Sequence, residues 1–86
     1  MPRVEEIVQS VATIVRFMVD RPDEVKIHVE RARVGSSATF RLSVDPTDLG
    51  KVIGKAGRTA RSLRFIASAI GQTHKVHLLI DINQPK

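Results

Sequence analysis

The sequence contains no cysteine, tryptophan or tyrosine, and phenylalanine is its only aromatic residue type, at three positions. The absence of cysteine excludes a disulfide framework and thiolate metal ligands. The scarcity of aromatic side chains argues against single-strand binders that stack several bases on exposed rings. Histidine occurs at His28, His74 and His77. Because the last two are predicted to point to opposite faces of a strand, we expect no metal site.

Long hydrophobic runs are also missing. No apolar stretch approaches the roughly 20 residues that a membrane-spanning helix needs, and Glu5 and Glu6 stand where a signal peptide would have its apolar core. We therefore expect a cytoplasmic protein with no membrane partner. A chain of 86 residues is sufficient for one domain. We predict a single domain over residues 1–83 and a short C-terminal tail over residues 84–86.

Positive charge is in excess and unevenly placed. Fourteen Lys and Arg against nine Asp and Glu give a net charge of +5 and a pI near 10.5. Residues 51–64 hold five cations and no acid, whereas six of the nine acids lie in the first 30 residues. Charge alone could serve only solubility, but a concentration of cations in one segment favours a polyanionic partner.

The spacing of apolar residues predicts six elements. Steps of three and four indicate helices, and alternation indicates strands. Residues 4–18, 46–53 and 57–70 are predicted helices, and residues 25–29, 38–44 and 76–82 are predicted strands. Arg21, Pro22 and Asp23 would stop the first helix and Gly71 would cap the last one. The prediction is an α+β fold of order α-β-β-α-α-β, a three-stranded mixed sheet with three helices on one face.

Between the second and third predicted helices, residues 54–57 read Gly-Lys-Ala-Gly, and we call this segment the GKAG loop. Glycine lets a backbone approach a ligand closely because it has no Cβ. The N-terminus of the helix that follows carries unpaired N–H groups and partial positive charge, which favour an anion. A phosphate is the expected ligand.

Three known phosphate-binding loops fit the spacing less well. A nucleotide-binding P-loop needs four residues between its first glycine and Gly-Lys-Ser/Thr, but only three separate Gly50 from Gly54, and Ala56 follows Lys55. The dinucleotide fingerprint lacks its first glycine, and no strand directly precedes the loop. A helix-hairpin-helix, which binds duplex DNA backbone, is similar but has one residue between its glycines instead of two. It stays open as an alternative.

The segment from Val52 to Arg58, Val-Ile-Gly-Lys-Ala-Gly-Arg, resembles the motif of the KH domain, in which a Gly-x-x-Gly loop between two helices binds about four nucleotides of a single strand. The order of elements resembles the type II KH arrangement over residues 4–82. Small bacterial single-KH proteins of the KhpA group have this size, this order and a similar loop. The resemblance implies post-transcriptional RNA regulation or RNA chaperoning, and association with a larger KH-containing protein.

The resemblance also implies roles for individual residues. Gly54 and Gly57 would allow the backbone to approach the ligand, with Ala56 between them in the loop. Lys55 and Arg58 would meet phosphates. Three further cations would extend the positive surface: Lys51, Arg61 and Arg64. Val52 and Ile53 would line the groove under the bases, although both are equally well explained as core residues. On the last strand, Lys75 and His77 are weaker candidates for the opposite wall of the groove.

The sequence thus predicts a single-stranded RNA-binding protein that needs no cofactor. It is not expected to be an enzyme, because no nucleophile with a nearby base stands out. The alternative is an interaction subunit that forms a homodimer, or a heterodimer with a larger KH-containing protein, through Phe17 or Leu79. We further expect that Gly54→Asp together with Gly57→Asp abolishes RNA binding and leaves the fold intact.

Overall fold

The computed structural model of the protein describes residues 4–33 and 35–82. Its helices are α1 (Val4–Arg16), α2 (Leu49–Ile53) and α3 (Arg58–Thr73), and its strands are β1 (Lys26–Arg31), β2 (Ser37–Ser43) and β3 (His77–Ile82). Short 3₁₀ turns at Pro22–Glu24, Pro46–Asp48 and Lys55–Gly57 join them. The predicted order of elements is confirmed. The predicted C-terminal tail and the last residue of the predicted domain, Asn83, lie outside the described residues.

The three strands form one mixed sheet in the order β1-β2-β3. β1 and β2 are antiparallel, with Val29 opposite Phe40, and β2 and β3 are parallel, with Phe40 opposite Ile80. The two-helix connection between β2 and β3 produces this parallel pairing, as the sequence predicts. Because β2 is central, the outer edge of β3 is not paired with another described strand.

The core lies between one face of the sheet and the three helices. Phe40 in β2, Val15 in α1, Val52 in α2 and Ala67 in α3 are completely buried and belong to one hydrophobic cluster. Alternate residues of β2 and β3 face this cluster, and the residues between them face solvent. The arrangement is the α+β, type II KH-like architecture that the sequence predicts. None of the helices in the described ranges is long and apolar enough to cross a membrane.

Two helix ends differ from the predictions. α1 ends at Arg16, before Met18, whose N–H donates to the carbonyl of Val15 and tightens the last turn. α3 continues through Gly71 to Thr73, so the predicted C-cap at Gly71 is wrong. Gly71 is buried against the chain that leads into β3, where its lack of a side chain is needed for packing.

The buried helix faces are also narrower than the spacing of apolar residues predicts. Ile14 in α1 and Ile66 in α3 continue this spacing, but they are 38% and 42% exposed. Each lies at the margin of its helix's buried face, so the sheet and the neighbouring helices leave part of each side chain uncovered. The exposed positions of Phe17 (86% exposed) and Leu79 (47% exposed) agree with the sequence-based expectation.

Candidate nucleic-acid interface

Contacts before α2 and on its inner face fix the position of this helix. At the start of the 3₁₀ turn that leads into α2, the carboxylate of Asp45 accepts hydrogen bonds from the N–H of Thr47 at 2.9 Å and from its hydroxyl at 2.6 Å. These bonds, above all the one from the hydroxyl of Thr47, hold the pKa of Asp45 below its usual range. On its inner face Val52 is completely buried, and Ile53 is partly buried against the core. Val52 is therefore a core residue, and Ile53 has some surface left for a ligand.

The backbone of the GKAG loop has an unusual conformation. Gly54 has φ 76° and ψ 171°, a region that only glycine adopts readily, and Ala56 and Gly57 are both left-handed, with φ of 55° and 74°. The N–H of Gly54 donates to Gly50 at 2.8 Å, and the N–H of Gly57 donates to Gly54 at 3.1 Å. The loop is a compact, internally bonded turn, and α3 begins directly after it.

The two glycines have different surroundings. A Cβ added to Gly54 would lie 2.2 Å from Oγ1 of Thr59, so the first glycine is needed for packing inside the protein. A Cβ added to Gly57 would meet only the tip of Arg61, at 3.5 Å, an ordinary contact. The sequence-based expectation that both glycines accept Asp without loss of the fold is therefore wrong for Gly54. Thr59, which the sequence analysis did not single out, explains why.

The basic residues divide into two groups by their ionic partners. Arg21, Arg31, Arg41 and Lys51 form salt bridges with carboxylates. Within residues 4–33 and 35–82, no salt bridge is formed by the exposed cations of the GKAG loop and of α3, which are Lys55, Arg58, Arg61 and Arg64. Lys26 and Lys75 likewise form no salt bridge within the described chain, so the loop is distinguished by the close sequence spacing of its exposed cations, which concentrates positive charge there.

Lys51 belongs to the paired group. Its ammonium donates to the carboxylates of Asp20 and Asp48, the latter at 3.2 Å. These bonds, above all the one to Asp20, raise the pKa of Lys51. A phosphate at Lys51 would have to compete with these carboxylates. The predicted RNA contact at Lys51 stays a prediction, while the structure gives this residue a clear role in joining α2 to the segment after α1.

Asp48 is the buried member of this ion-pair cluster. Its side chain is 1% exposed and accepts hydrogen bonds from the N–H groups of Asp20, at 3.2 Å, and Arg21, at 3.0 Å. Burial alone would raise the pKa of this carboxyl group, but the two backbone bonds and Lys51 outweigh burial and lower it. This contact has no local signal in the sequence, because the partners of Asp48 lie 27 and 28 residues away.

α3 carries the remaining cations along the free edge of the sheet. Arg61 lies next to the GKAG loop, with its guanidinium tip near Gly57. One turn further, Nε of Arg64 donates to the backbone carbonyl of Ile80 in β3, at 3.3 Å. The structure thus places Arg61 and Arg64 between the loop and the edge of β3. Lys75 precedes β3, and the exposed His77 is the first residue of this strand. Both residues follow the end of α3, which lies about two helical turns beyond Arg64.

No group of three or more His, Cys, Asp or Glu side chains within residues 4–33 and 35–82 could hold a metal ion. The outer face of the sheet has a shallow cavity of about 300 Å³ lined by charged residues, including Lys26, Arg41 and Asp81. Arg41 there binds Glu30 at 2.7 Å and Asp81 at 2.8 Å, so its charge is already neutralised.

The family model described as KhpA/KhpB, KH domain, matches residues 8–82. This chain belongs to the KhpA/KhpB KH-domain family. The GKAG loop lies within the matched residues, between two helices, as the Gly-x-x-Gly loop of a KH domain does. No solved structure gives a significant match.

Curated relatives of this KH domain carry a consistent name. A protein of Mycobacterium bovis named RNA-binding protein KhpA is 45% identical over 65 residues, which cover 76% of this chain and 79% of the relative. Relatives with the same name are 44% identical over 69 residues in Halalkalibacterium halodurans (80% and 88% covered) and 37% identical over 79 residues in Listeria monocytogenes (92% and 97% covered). The similarity thus extends over 79% to 97% of the length of these relatives.

Proposed function

We propose that the protein binds single-stranded RNA and that the GKAG loop holds a stretch of about four nucleotides. The observation that carries this proposal is the group of exposed cations around the loop, Lys55, Arg58 and Arg61, which form no salt bridge within the described chain. The names of the KhpA relatives support RNA as the polyanion.

The proposed mode of binding follows from the loop's geometry. Gly57 is open on its outer side, so a phosphate can approach the backbone at the start of α3. The N-terminus of this 16-residue helix adds partial positive charge at that point. Lys55 and Arg58 then bind the phosphates on either side, and Ile53 offers apolar surface to a base. In this proposal the protein is a binding module and not an enzyme.

A salt titration tests the proposal. The protein is titrated against a fluorescent single-stranded RNA at several salt concentrations, with duplex RNA and single-stranded DNA of the same sequence as comparisons. Contact with three or four phosphates predicts a slope of roughly −2 to −3 in a plot of log K against log salt. Affinity that is independent of salt, or tighter binding to the duplex, would contradict the proposal.

A second function, pairing with another protein, is favoured by the exposed apolar side chains. Phe65 in α3 is 77% exposed, and Phe17 and Leu79 are also exposed. Exposed aromatic residues are common at interfaces between proteins. We include in the proposal a homodimer or a heterodimer with a larger KH-containing protein. Light scattering of the wild type and of Phe65→Ser tests the homodimer, and a monomeric wild type at high concentration would contradict it.

The proposal extends to the cellular role of the protein. Binding of a few nucleotides by one domain is suited to post-transcriptional regulation or RNA chaperoning, where partners or repeated contacts supply the additional affinity. Crosslinking the protein to RNA in cells and sequencing the bound fragments tests this role. A cytoplasmic location rests on the sequence alone and stays a prediction.

A further inference from the structure

The contact between Arg64 and β3 gives the proposed RNA site a means of selecting bases. β3 pairs only with β2 among the described strands, and the N–H of His77 donates towards β2, to Ser36 at 2.7 Å. Because successive backbone groups of a strand point to opposite sides, the carbonyl of Ile80 points to the free edge. It is this carbonyl that accepts the hydrogen bond from Nε of Arg64, at 3.3 Å.

The bond to Ile80 orients the guanidinium group of Arg64. Arginine has five N–H donors in a fixed planar arrangement and no acceptor. With Nε used by the protein, the four N–H groups of the two terminal nitrogens remain at the end of an exposed side chain. Because the guanidinium is already oriented before a ligand binds, less conformational entropy is lost on binding. Its two parallel N–H donors favour a ligand that has two adjacent hydrogen-bond acceptors.

Only some bases present two adjacent acceptors. Guanine has O6 and N7, the pair that arginine binds in duplex DNA, and unpaired cytosine has N3 and O2. Adenine and uracil place an N–H donor next to each acceptor on the corresponding edges. Arg64 is seven residues beyond Gly57, about 10 Å along the helix axis, which is within the reach of a strand of four nucleotides.

We propose that Arg64 is a specificity-determining residue, which reads one base next to the phosphates at the GKAG loop and favours guanine or cytosine over adenine and uracil. This inference rests on the proposed function, because the base reaches Arg64 only if the loop holds the backbone. It adds a preference that the loop itself, which contacts phosphates, cannot supply.

The test uses the full chain and a uridine tract of about ten nucleotides in which a central residue is replaced by C, G or A. We expect the wild type to bind the tract with C or with G roughly tenfold more tightly than the all-uridine tract or the tract with A. Whether C or G is preferred identifies the base edge that is read. Equal affinity for all four tracts would overturn the inference.

Arg64→Lys is the decisive variant, because lysine keeps the charge but has neither the paired donors nor Nε. In this variant the ratio of the affinities for the C- or G-containing tract and for the all-uridine tract should fall to about one. Arg61→Lys, one turn closer to the loop, is the matched control and should keep the preference. Preference retained in Arg64→Lys would overturn the inference and leave the proposed function standing. Failure of the wild type to bind any tract would overturn both.

Discussion

Gly54 and Thr59 are in such close contact that a Cβ on Gly54 would lie 2.2 Å from Oγ1 and 2.9 Å from the backbone nitrogen of Thr59. Because one of these atoms belongs to the backbone of α3, a rotamer change of Thr59 could not relieve the overlap. Gly54 also has a φ of 76°, which favours glycine. The first glycine of the GKAG loop therefore serves the fold directly.

Gly54→Ala is expected to lower the free energy of unfolding by roughly 2 to 5 kcal/mol, from overpacking and backbone strain together. Gly50→Ala, in the preceding helix α2, is the matched control, because a Cβ at Gly50 would meet nothing within 4 Å outside the backbone of its own helix. It should be neutral or stabilising by up to about 1 kcal/mol. Urea denaturation measures both variants. Equal stability of the two would show that the contact with Thr59 is not restrictive.

Gly57→Asp is expected to lower the affinity for single-stranded RNA by at least about tenfold while the protein stays folded. The new carboxylate would stand where a phosphate is proposed to bind and would attract the guanidinium of Arg61, whose tip is 3.5 Å from the position of the new Cβ. A repulsive charge at the site of the anion costs several times more than a lost neutral contact.

The matched control is Gly57→Asn, which has nearly the same shape without the charge. Asp and Asn both tolerate the left-handed conformation at this position better than other residues. Thermal unfolding should therefore give similar midpoints for the two variants, and fluorescence anisotropy should separate them by affinity. If Asn weakens binding as much as Asp does, shape and not charge governs the loop, and the proposed phosphate site is incorrect.

The end of α3 shows where sequence patterns stop being informative. The sequence predicts that Gly71 ends the helix, because glycine commonly follows the last helical residue. In the structure the N–H of Val76 donates to Gly71 at 2.8 Å and the N–H of Lys75 donates to Gln72 at 3.4 Å, the two bonds of a Schellman motif. The residue in the left-handed conformation is Lys75, with φ 57°. A lysine at this position gives no local signal.

Gly71→Ala is expected to destabilise the protein by roughly 2 to 4 kcal/mol, although alanine is the better helix former. A Cβ at Gly71 would lie 2.2 Å from the carbonyl oxygen of Val76 and 3.2 Å from the side chain of Leu78. Gly50→Ala is again the control, because the space around Gly50 in α2 is open to a Cβ. A gain in stability from Gly71→Ala would mean that α3 ends where the sequence suggests.

Lys75→Gly is expected to stabilise the protein by about 1 kcal/mol. The left-handed conformation costs a residue with a Cβ roughly 1 to 2 kcal/mol, and part of the gain is lost because glycine has more freedom in the unfolded chain. Lys75→Ala keeps the strain and removes the charge, so its stability should match that of the wild type. Thermal denaturation of the three proteins decides the matter, and a Lys75→Gly variant less stable than Lys75→Ala would refute this account.

The same limit applies to the candidate site. The element order, the parallel strands and the GKAG loop could be predicted because periodicity and glycine spacing are local properties of the sequence. The contacts of Arg64 with Ile80 and of Lys51 with Asp20 could not, because they join residues 16 and 31 positions apart. Sequence reasoning therefore found the cations but could not separate the paired Lys51 from the unpaired Lys55.

The final prediction concerns acid stability, because Asp48 is a buried carboxylate whose bonds require its charged form. Its pKa is lowered from an ordinary value of 3.8, so its contribution to stability is complete above that value and is lost as the pH falls through the lower, folded value. Asp48→Asn should be less stable than the wild type at pH 7, because the amide cannot accept both backbone bonds and pair with Lys51.

The pH profile distinguishes this role from simple packing. Between pH 6 and pH 2 the wild type should lose more stability than Asp48→Asn, since the variant has no charge to lose at this site. Asp45 and Glu30, whose pKa values are also lowered, keep their contributions in both proteins. Asp23→Asn, at an exposed position, is the control and should follow the wild type. Parallel profiles for Asp48→Asn and the wild type would show that the charge of Asp48 does not hold α2, and with it the GKAG loop, against the end of α1.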